Sequence, residues 1–300
     1  MIPLIRLKKD VDFNSDLIHI VDALKGIALA RFHSLHRQSK SIDRFEEVAG
    51  KLLQGIDPRE VKHPFVTAST GQPAALVIVT SDAGFLGGLN TQVIQAGLAA
   101  AGSNPLITVI GERGGNHLHD THHNFTQFPG ILDHQRDKFA ADIRNHVLRQ
   151  ILEGKAGRLV VAYPKSLSLA VQKVTVETLL PCTEWLPKGE TAAGAGMIWE
   201  SSPAEILGYV VHHWMARRLT DIFSASRLAE LGARVMHLEG SFHELVRRAK
   251  KLRLDYFRAR HEIIDRSMRE VFSAQLLFGS VAEAEEDLKL AQARSKLHVR

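Results

Sequence analysis

Residues 228–263, LAELGARVMHLEGSFHELVRRAKKLRLDYFRARHEI, decide the fold of this chain. Apolar side chains return after three and then four residues through the whole stretch, at Leu228, Leu231, Val235, Leu238, Phe242, Leu245, Ala249, Leu252, Tyr256, Ala259 and Ile263. Such a repeat is the seam of a left-handed coiled coil. Upstream, Ser202, Pro203 and Glu205 supply an N-cap, an N1 proline and a capping carboxylate. We therefore expect one long helix over 201–280.

A second long helix is predicted near the start of the chain, within residues 1–60. Asn14, Ser15 and Asp16 are candidate N-caps. Beyond them the same alternation of threes and fours continues, interrupted by Arg31 and Gln38, at Leu17, Val21, Leu24, Ala28, Leu35, Ile42, Phe45, Ala49 and Leu52. Neither helix can bury its seam alone, so we expect the two to pair antiparallel. Residues 281–300 are charged, and we expect a polar tail there.

Residues 72–200 have a different pattern, in which short apolar runs alternate with helical stretches. AALVIVT at 74–80 is a buried-strand sequence, and further strands are predicted at 105–111, 158–163 and 172–180. Helices are predicted near 91–101 and 134–153. Strand–helix–strand order favours a parallel sheet. The predicted fold class is α/β: a long antiparallel coiled coil of the N- and C-terminal helices, with an inserted Rossmann-like α/β domain.

Composition narrows the classes of function. The 300 residues carry a net charge of +5 with 6% aromatic residues, which is too little of either to indicate nucleic-acid binding. No apolar run is long enough for a direct transmembrane span, and the opening residues lack a signal-peptide core. Cys182 is the only cysteine, so no internal disulfide can form, as expected for a protein of the reducing cytoplasm.

The sharpest local motif is SDAGFLGGLN at 81–90, between a predicted strand and a predicted helix. Phosphate-binding loops occupy that place, but this one matches neither G-x-G-x-x-G nor the P-loop. The favoured interpretation is a tight structural turn, with a nucleotide site as the alternative and no cofactor expected. The residues assigned to the turn are Ser81, Asp82, Gly84, Gly87, Gly88 and Asn90.

Two further clusters could carry chemistry. His117, His119, His122 and His123, with Asp120, could hold zinc or nickel, but their spacing is irregular and glycines precede them. A mobile polar loop is the favoured interpretation, and no metal is expected. Paired carboxylates, a nucleophile elbow and a Cys/His pair are all missing, so no catalytic residue is assigned and the chain is not expected to be an enzyme.

The C-terminal helix is strongly basic between residues 244 and 269, with nine Lys or Arg against four Asp or Glu. A DNA-reading zipper would need its basic block upstream of the seam, whereas here the charges overlie it. Two interpretations remain: a solvated helical face, or a basic band that meets an acidic protein surface. The candidate contacts are Arg247, Arg248, Lys250, Lys251 and Arg260.

With these motifs in view, the chain resembles the gamma subunit of F-type ATP synthases. Ser81–Asn90 is similar to that family's Ser/Thr-Asp-x-Gly-x-x-Gly-Gly-Leu-Asn loop. Residues 231–238, 256–260 and 19–32 resemble its Ala-Arg-x-x-Ala-Met, Tyr-Asn-x-Ala-Arg and N-terminal helix segments. The resemblance extends over about residues 15–278.

Several positions depart from the family pattern. Ala83 stands at the usual Arg, Leu86 at the usual Cys and Leu24 at a usual Met. His19 and Asp22 stand where lysines are common, and residues 265–267 (Asp-Arg-Ser) replace a Thr-Gln-Glu thought to touch the stator ring. These departures favour a divergent or alternate synthase, with the sodium-type branch as a candidate.

The resemblance implies a non-catalytic rotor shaft that couples ion flow to ATP synthesis. Its implied partners are the ring of alpha and beta subunits, the epsilon subunit and the membrane rotor ring. The implied location is peripheral, on the cytoplasmic face of the bacterial inner membrane. Two alternatives stay open on the residues alone: a coiled-coil scaffold or assembly protein with an α/β domain, and an α/β enzyme with helical dimerisation arms.

Overall fold

The computed structural model describes residues 4–38, 63–67, 71–182 and 201–297. The predicted seam positions Ile42, Phe45, Ala49 and Leu52 lie outside these residues. In chain order the elements are α1 (Leu4–Gln38), β1 (Ala74–Val79), α2 (Leu89–Ala101), β2 (Leu106–Ile110), α3 (Glu112–Asp120), β3 (Phe125–Phe128), a 3-10 turn (Asp133–Gln135), α4 (Arg136–Leu152), β4 (Arg158–Ser166), β5 (Gln172–Leu180) and α5 (Pro203–Leu297).

The five strands form one sheet in the order β3-β2-β1-β4-β5. The first four are parallel, whereas β5 runs antiparallel to β4. β3 was not among the predicted strands, and the prediction of a parallel sheet is thus correct for β1, β2 and β4 and wrong for β5. The reason is the connection, because only residues 167–171 separate β4 from β5, and a parallel pair needs a crossover of a dozen residues or more.

The sheet is buried on both faces. On one face Ala75, Val77 and Val79 of β1 belong to a core with α4 and the first part of α5. On the other face the alternate residues of β1, Leu76 and Ile78, join a core with α2 and α3. Burial on both faces explains why β1 reads as a continuous apolar run rather than as an alternating one.

The chain divides into two compact units, residues 22–240 and residues 1–21 with 241–300. In the first unit, Phe32 and Leu35 of α1 pack against Leu228 and Leu231 of α5. Lys25 of α1 pairs with Glu239 of α5, so the two helices run antiparallel there. In the second unit, the Asn14 amide donates to the carbonyl of Leu245 over 3.1 Å.

The seam of α1 differs from the predicted one at alternate positions. The inward face follows residues 4, 7, 11, 14, 18, 21, 25, 28, 32 and 35, all buried or half-buried. Val21, Ala28 and Leu35 are on this series, whereas Leu24 is 39% exposed and lies off it. Leu17 is half-buried beside it. The prediction failed because two seam positions, Asn14 and Lys25, are polar and broke the apolar pattern.

Both long helices extend past their predicted ends. α1 begins at Leu4, so Asn14, proposed as an N-cap, lies inside the helix. α5 starts at Pro203 as expected, with reciprocal hydrogen bonds between Ser202 and Glu205, but it continues through residue 280 to Leu297. Among the described residues, no helix combines the length and hydropathy that a membrane crossing requires.

Candidate functional site

The turn at 81–90 is closed by its own side chains. Asn90 donates to the Ser81 hydroxyl over 3.0 Å, and that hydroxyl donates to the carbonyl of Ala83 over 2.9 Å. Asn90 is the second residue of α2, so these bonds join the end of β1 to the start of the next helix. Ser81 is itself buried.

Asp82 and Gly84 connect this turn to other elements. The Asp82 carboxylate accepts the backbone N–H of Glu112, the first residue of α3, over 2.9 Å. The carbonyl of Gly84 accepts from Arg234 of α5 over 3.3 Å. Gly87 has φ +59°, whereas Gly88 has φ −90°, an ordinary value. Phe85 also has positive φ and is half-exposed, which the sequence did not predict.

A ladder of charged side chains on α5 faces the turn. Glu230 is only 8% exposed and accepts from Arg227 over 2.7 Å and from Arg234 over 2.6 Å. Burial lowers the pKa of Arg227, but the carboxylates of Glu230, Asp133 and Asp82 outweigh that effect and raise it. Arg227 therefore stays charged. The bonds within the ladder join residues of α5 to each other, and the Arg234 bond to the Gly84 carbonyl joins the helix to the turn.

Between the ladder and the turn lies a cavity of about 160 Å³. It adjoins Val79 at the end of β1 and Pro164 near the end of β4, where a doubly wound sheet usually binds its ligand. Arg227 and Glu230 of α5 line it, and Leu86 and Leu89 of the turn pack against Ala233 of the same helix. Side chains of α5 therefore form one wall of this cavity.

A second polar contact joins the sheet to α5. Tyr163 of β4 donates to Glu177 of β5 over 2.5 Å, and Arg218 of α5 donates to the other oxygen of Glu177 over 2.6 Å. Burial, reinforced by the Glu177 carboxylate, raises the pKa of Tyr163. The phenol therefore remains a hydrogen-bond donor at physiological pH.

Sequence reasoning missed both polar contacts. The spacing of Arg227, Glu230 and Arg234 by three and four residues on a helix was a usable signal for the ladder. Nothing in the local sequence relates Glu177 to Arg218, which lies 41 residues away.

The basic band, and the part of the α5 seam that follows residue 240, lie in the unit of residues 1–21 and 241–300. Leu245 and Leu252 are half-buried. Ile263, by contrast, is 45% exposed, and every side chain from residue 260 to residue 276 is also exposed. The described part of α1 begins ten residues before Asn14, which limits how far it can cover α5 past Leu245. The other predicted seam residues, Leu231, Val235 and Leu238, are buried in residues 22–240.

All five predicted contact residues of the band are exposed: Arg247, Arg248, Lys250, Lys251 and Arg260. Arg247 pairs with Glu244 one turn earlier on the same helix. Exposed pairs of this kind contribute about 0–1 kcal/mol, so the band is available for contact with another molecule.

The histidine cluster is partly helical, which corrects the prediction of a loop. His117 and His119 lie in α3, and His122 and His123 follow it. The glycines that suggested a loop are there for close packing, because a side chain at Gly114 would collide with Thr80 and one at Gly115 with Gln127. Within the described parts of the chain, no three His, Cys, Asp or Glu side chains are grouped to hold a metal ion.

Comparison with known proteins identifies the family. The sequence profile of the ATP synthase family matches residues 7–275. The chain belongs to the ATP synthase gamma chain family. It is 24% identical to the gamma chain of Chlorobium phaeobacteroides, over 84% of this chain and 90% of that one. It is 23% identical to the gamma chain of Trichlorobacter lovleyi, over 89% of this chain and 96% of that one.

Solved structures share the fold. The rotor of the Euglena gracilis mitochondrial ATP synthase superposes with a TM-score of 0.65 at 15% identity, over 87% of this chain and 98% of that one. A chain of the Tetrahymena thermophila mitochondrial ATP synthase central stalk and c-ring superposes with a TM-score of 0.56 at 16% identity, over 74% of this chain and 99% of that one. The chain thus has the fold of these ATP synthase chains, and the scaffold and enzyme alternatives are not favoured.

Proposed function

We propose that this chain is the rotating shaft that couples ion flow through a membrane ring to the conformational cycle of catalytic beta subunits. The observation that carries the proposal is the antiparallel pairing of α1 with α5 beside a sheet joined to α5 by the Arg218–Glu177 ion pair. A helix pair is stiff enough to transmit torque, and the domain built on the sheet provides a surface that partner subunits can bind. The subunit itself does no chemistry.

The shaft would act by contacting the beta subunits unequally. An asymmetric helix pair at the centre of a ring touches each beta subunit differently at each angle. Such differential contacts are what shift populations among nucleotide-binding states. The exposed basic band supports this role, because long basic side chains can pass acidic loops without forming deeply buried pairs.

The partners proposed are the alpha and beta ring, the epsilon subunit and the membrane rotor ring. The location proposed is the cytoplasmic face of a bacterial inner membrane, with the chain bound peripherally. Identities of 23–24% to the two gamma chains named above support a divergent or alternate synthase, for which either protons or sodium ions could be the coupling ion. The turn at 81–90 is proposed as a structural or interface element that binds no nucleotide.

The test is co-purification followed by reconstitution. A tagged chain should bring alpha and beta subunits with it, and the complex in vesicles should pump ions when ATP is added. The chain freed of the ring should not hydrolyse ATP, since no phosphate loop or catalytic carboxylate was found in its sequence. Hydrolysis by the ring-free chain, or failure to assemble with alpha and beta, would overturn the proposal.

A further inference from the structure

Glu177 brings three elements together at one carboxylate. One oxygen accepts from Tyr163 of β4 and the other from Arg218 of α5, while Glu177 itself is on β5. We propose that Glu177 is a positioning residue for torque transfer, which holds α5 in fixed axial position against the sheet while the subunit is under load. The inference rests on the rotor function proposed above and names the contact through which load passes.

Apolar packing alone would hold α5 less firmly against sliding. Leu219, Ile222 and Phe223 of α5 are essentially fully buried in the core beneath the sheet. Burial of this kind is strong, but the hydrophobic effect itself is non-directional. Hydrogen bonds to a charged group depend steeply on distance and angle, and they oppose such a shift.

The Glu177 contact with α5 is charged at both ends and partly buried. The Glu177 and Arg218 side chains are 25% and 31% exposed, so solvent weakens their attraction only in part. Tyr163 is 2% exposed and fixes the second oxygen from within the sheet. By contrast, Thr220 of α5 bonds the exposed Asp137 over 3.2 Å through a neutral hydroxyl. Thr220 therefore provides a matched control on the same helix.

The experiment uses the whole reconstituted complex with Glu177→Gln, which keeps the size of the side chain and removes its charge. ATP hydrolysis without an ion gradient should stay near the wild-type rate, because the rotor then turns against little opposing torque. ATP synthesis driven by an ion gradient should fall several-fold, and the loss should grow as the opposing ATP/ADP ratio is raised. Tyr163→Phe should give a smaller loss of the same kind, Arg218→Lys should retain part of the function, and Thr220→Ala should leave both rates unchanged.

A purely structural role predicts a different result. If Glu177 only stabilised the fold, synthesis and hydrolysis would fall together, in proportion to the amount of assembled complex. Equal loss of both rates, or wild-type synthesis by assembled Glu177→Gln at every load, would overturn the inference. Tyr163→Phe and Arg218→Lys keep the test decisive if Glu177→Gln assembles poorly. Failure of the rotor function itself would be visible separately, because the wild-type chain would then not assemble with alpha and beta.

Discussion

Gly87 and Gly88 are neighbours in the turn but differ in backbone conformation. At Gly87 φ is +59°, where a Cβ is strained, while at Gly88 φ is −90° and the nearest atom to an added Cβ is 3.8 Å away. Gly87→Ala should therefore lower the free energy of unfolding by about 1–2 kcal/mol, and Gly88→Ala should change it by less than about 0.5 kcal/mol. Urea unfolding of the free subunit measures both. Equal effects of the two substitutions would contradict the assigned turn geometry.

His146 makes the stability of the α/β region depend on pH. Its ring lies 5.3 Å from that of Phe128 and contacts Gln150 at 3.1 Å. Burial, with a smaller contribution from the charge of Arg149, holds its pKa below the usual 6.5. Because the folded pKa is depressed, the stabilisation is complete above pH 6.5 and is lost as the pH falls toward the folded value.

We expect the melting temperature to drop between pH 7 and pH 5, and the drop to be smaller in His146→Gln. The control is His119→Gln, which removes a histidine whose side chain is 85% exposed on α3. An identical pH dependence in wild type and His146→Gln would show that His146 does not contribute.

At the scale of elements, the register of the helix pair gives a sharp comparison. Leu238 is fully buried on α5, whereas Leu24 of α1 is 39% exposed. Leu238→Asp buries a charge in the seam and should cost more than about 3 kcal/mol. Leu24→Asp should cost less than about 0.5 kcal/mol, although the sequence pattern placed both leucines on a seam. Circular dichroism melts of the two variants distinguish the observed register from the predicted one.

The elements that sequence predicts well are those whose signal is local. β1 and β2 are found within a residue or two, because strands buried on both faces are continuous runs of apolar, largely β-branched residues. The Ser202–Glu205 capping box fixes the start of α5 for the same reason. The turn at 81–90 was also recognisable, since its glycine and Asx residues are specific to a tight strand-to-helix connection.

What could not be predicted depends on partners distant in sequence. Lys25 occupies an apolar seam position because Asp22 and Glu239 hold its ammonium group at 3.1 and 3.0 Å. Gly114 and Gly115 permit α3 to approach Thr80 and Gln127 closely. In the local sequence, however, two adjacent glycines are typical of a loop. Each of these residues departs from the local rule because of at least one neighbour, Glu239, Thr80 or Gln127, that lies outside its local sequence.

At the scale of the whole molecule, the basic band is the feature that meets the stator in the proposed function. Reversing Arg247, Arg248, Lys250 and Lys251 to Glu should place like charges against an acidic surface and lower the number of ions pumped per ATP hydrolysed. The helix should survive, because all four side chains are exposed. Circular dichroism of the free subunit is the control, and neutral Gln replacements should give an intermediate loss. Unchanged pumping in the fourfold Glu variant would leave the band as a solvated face.

The pairing of α1 with α5 also governs how the chain is made on the ribosome. Asn14 and Leu245 are hydrogen-bonded although they are 231 residues apart in sequence. At synthesis rates of about 5–20 residues per second, the first helix waits roughly 10–50 seconds for its partner. During that interval Phe32 and Leu35 have no α5 to cover them, and they form a surface that a chaperone can hold. Nascent chains stalled before residue 228 should therefore be cleaved by protease within α1, and chains released at full length should resist.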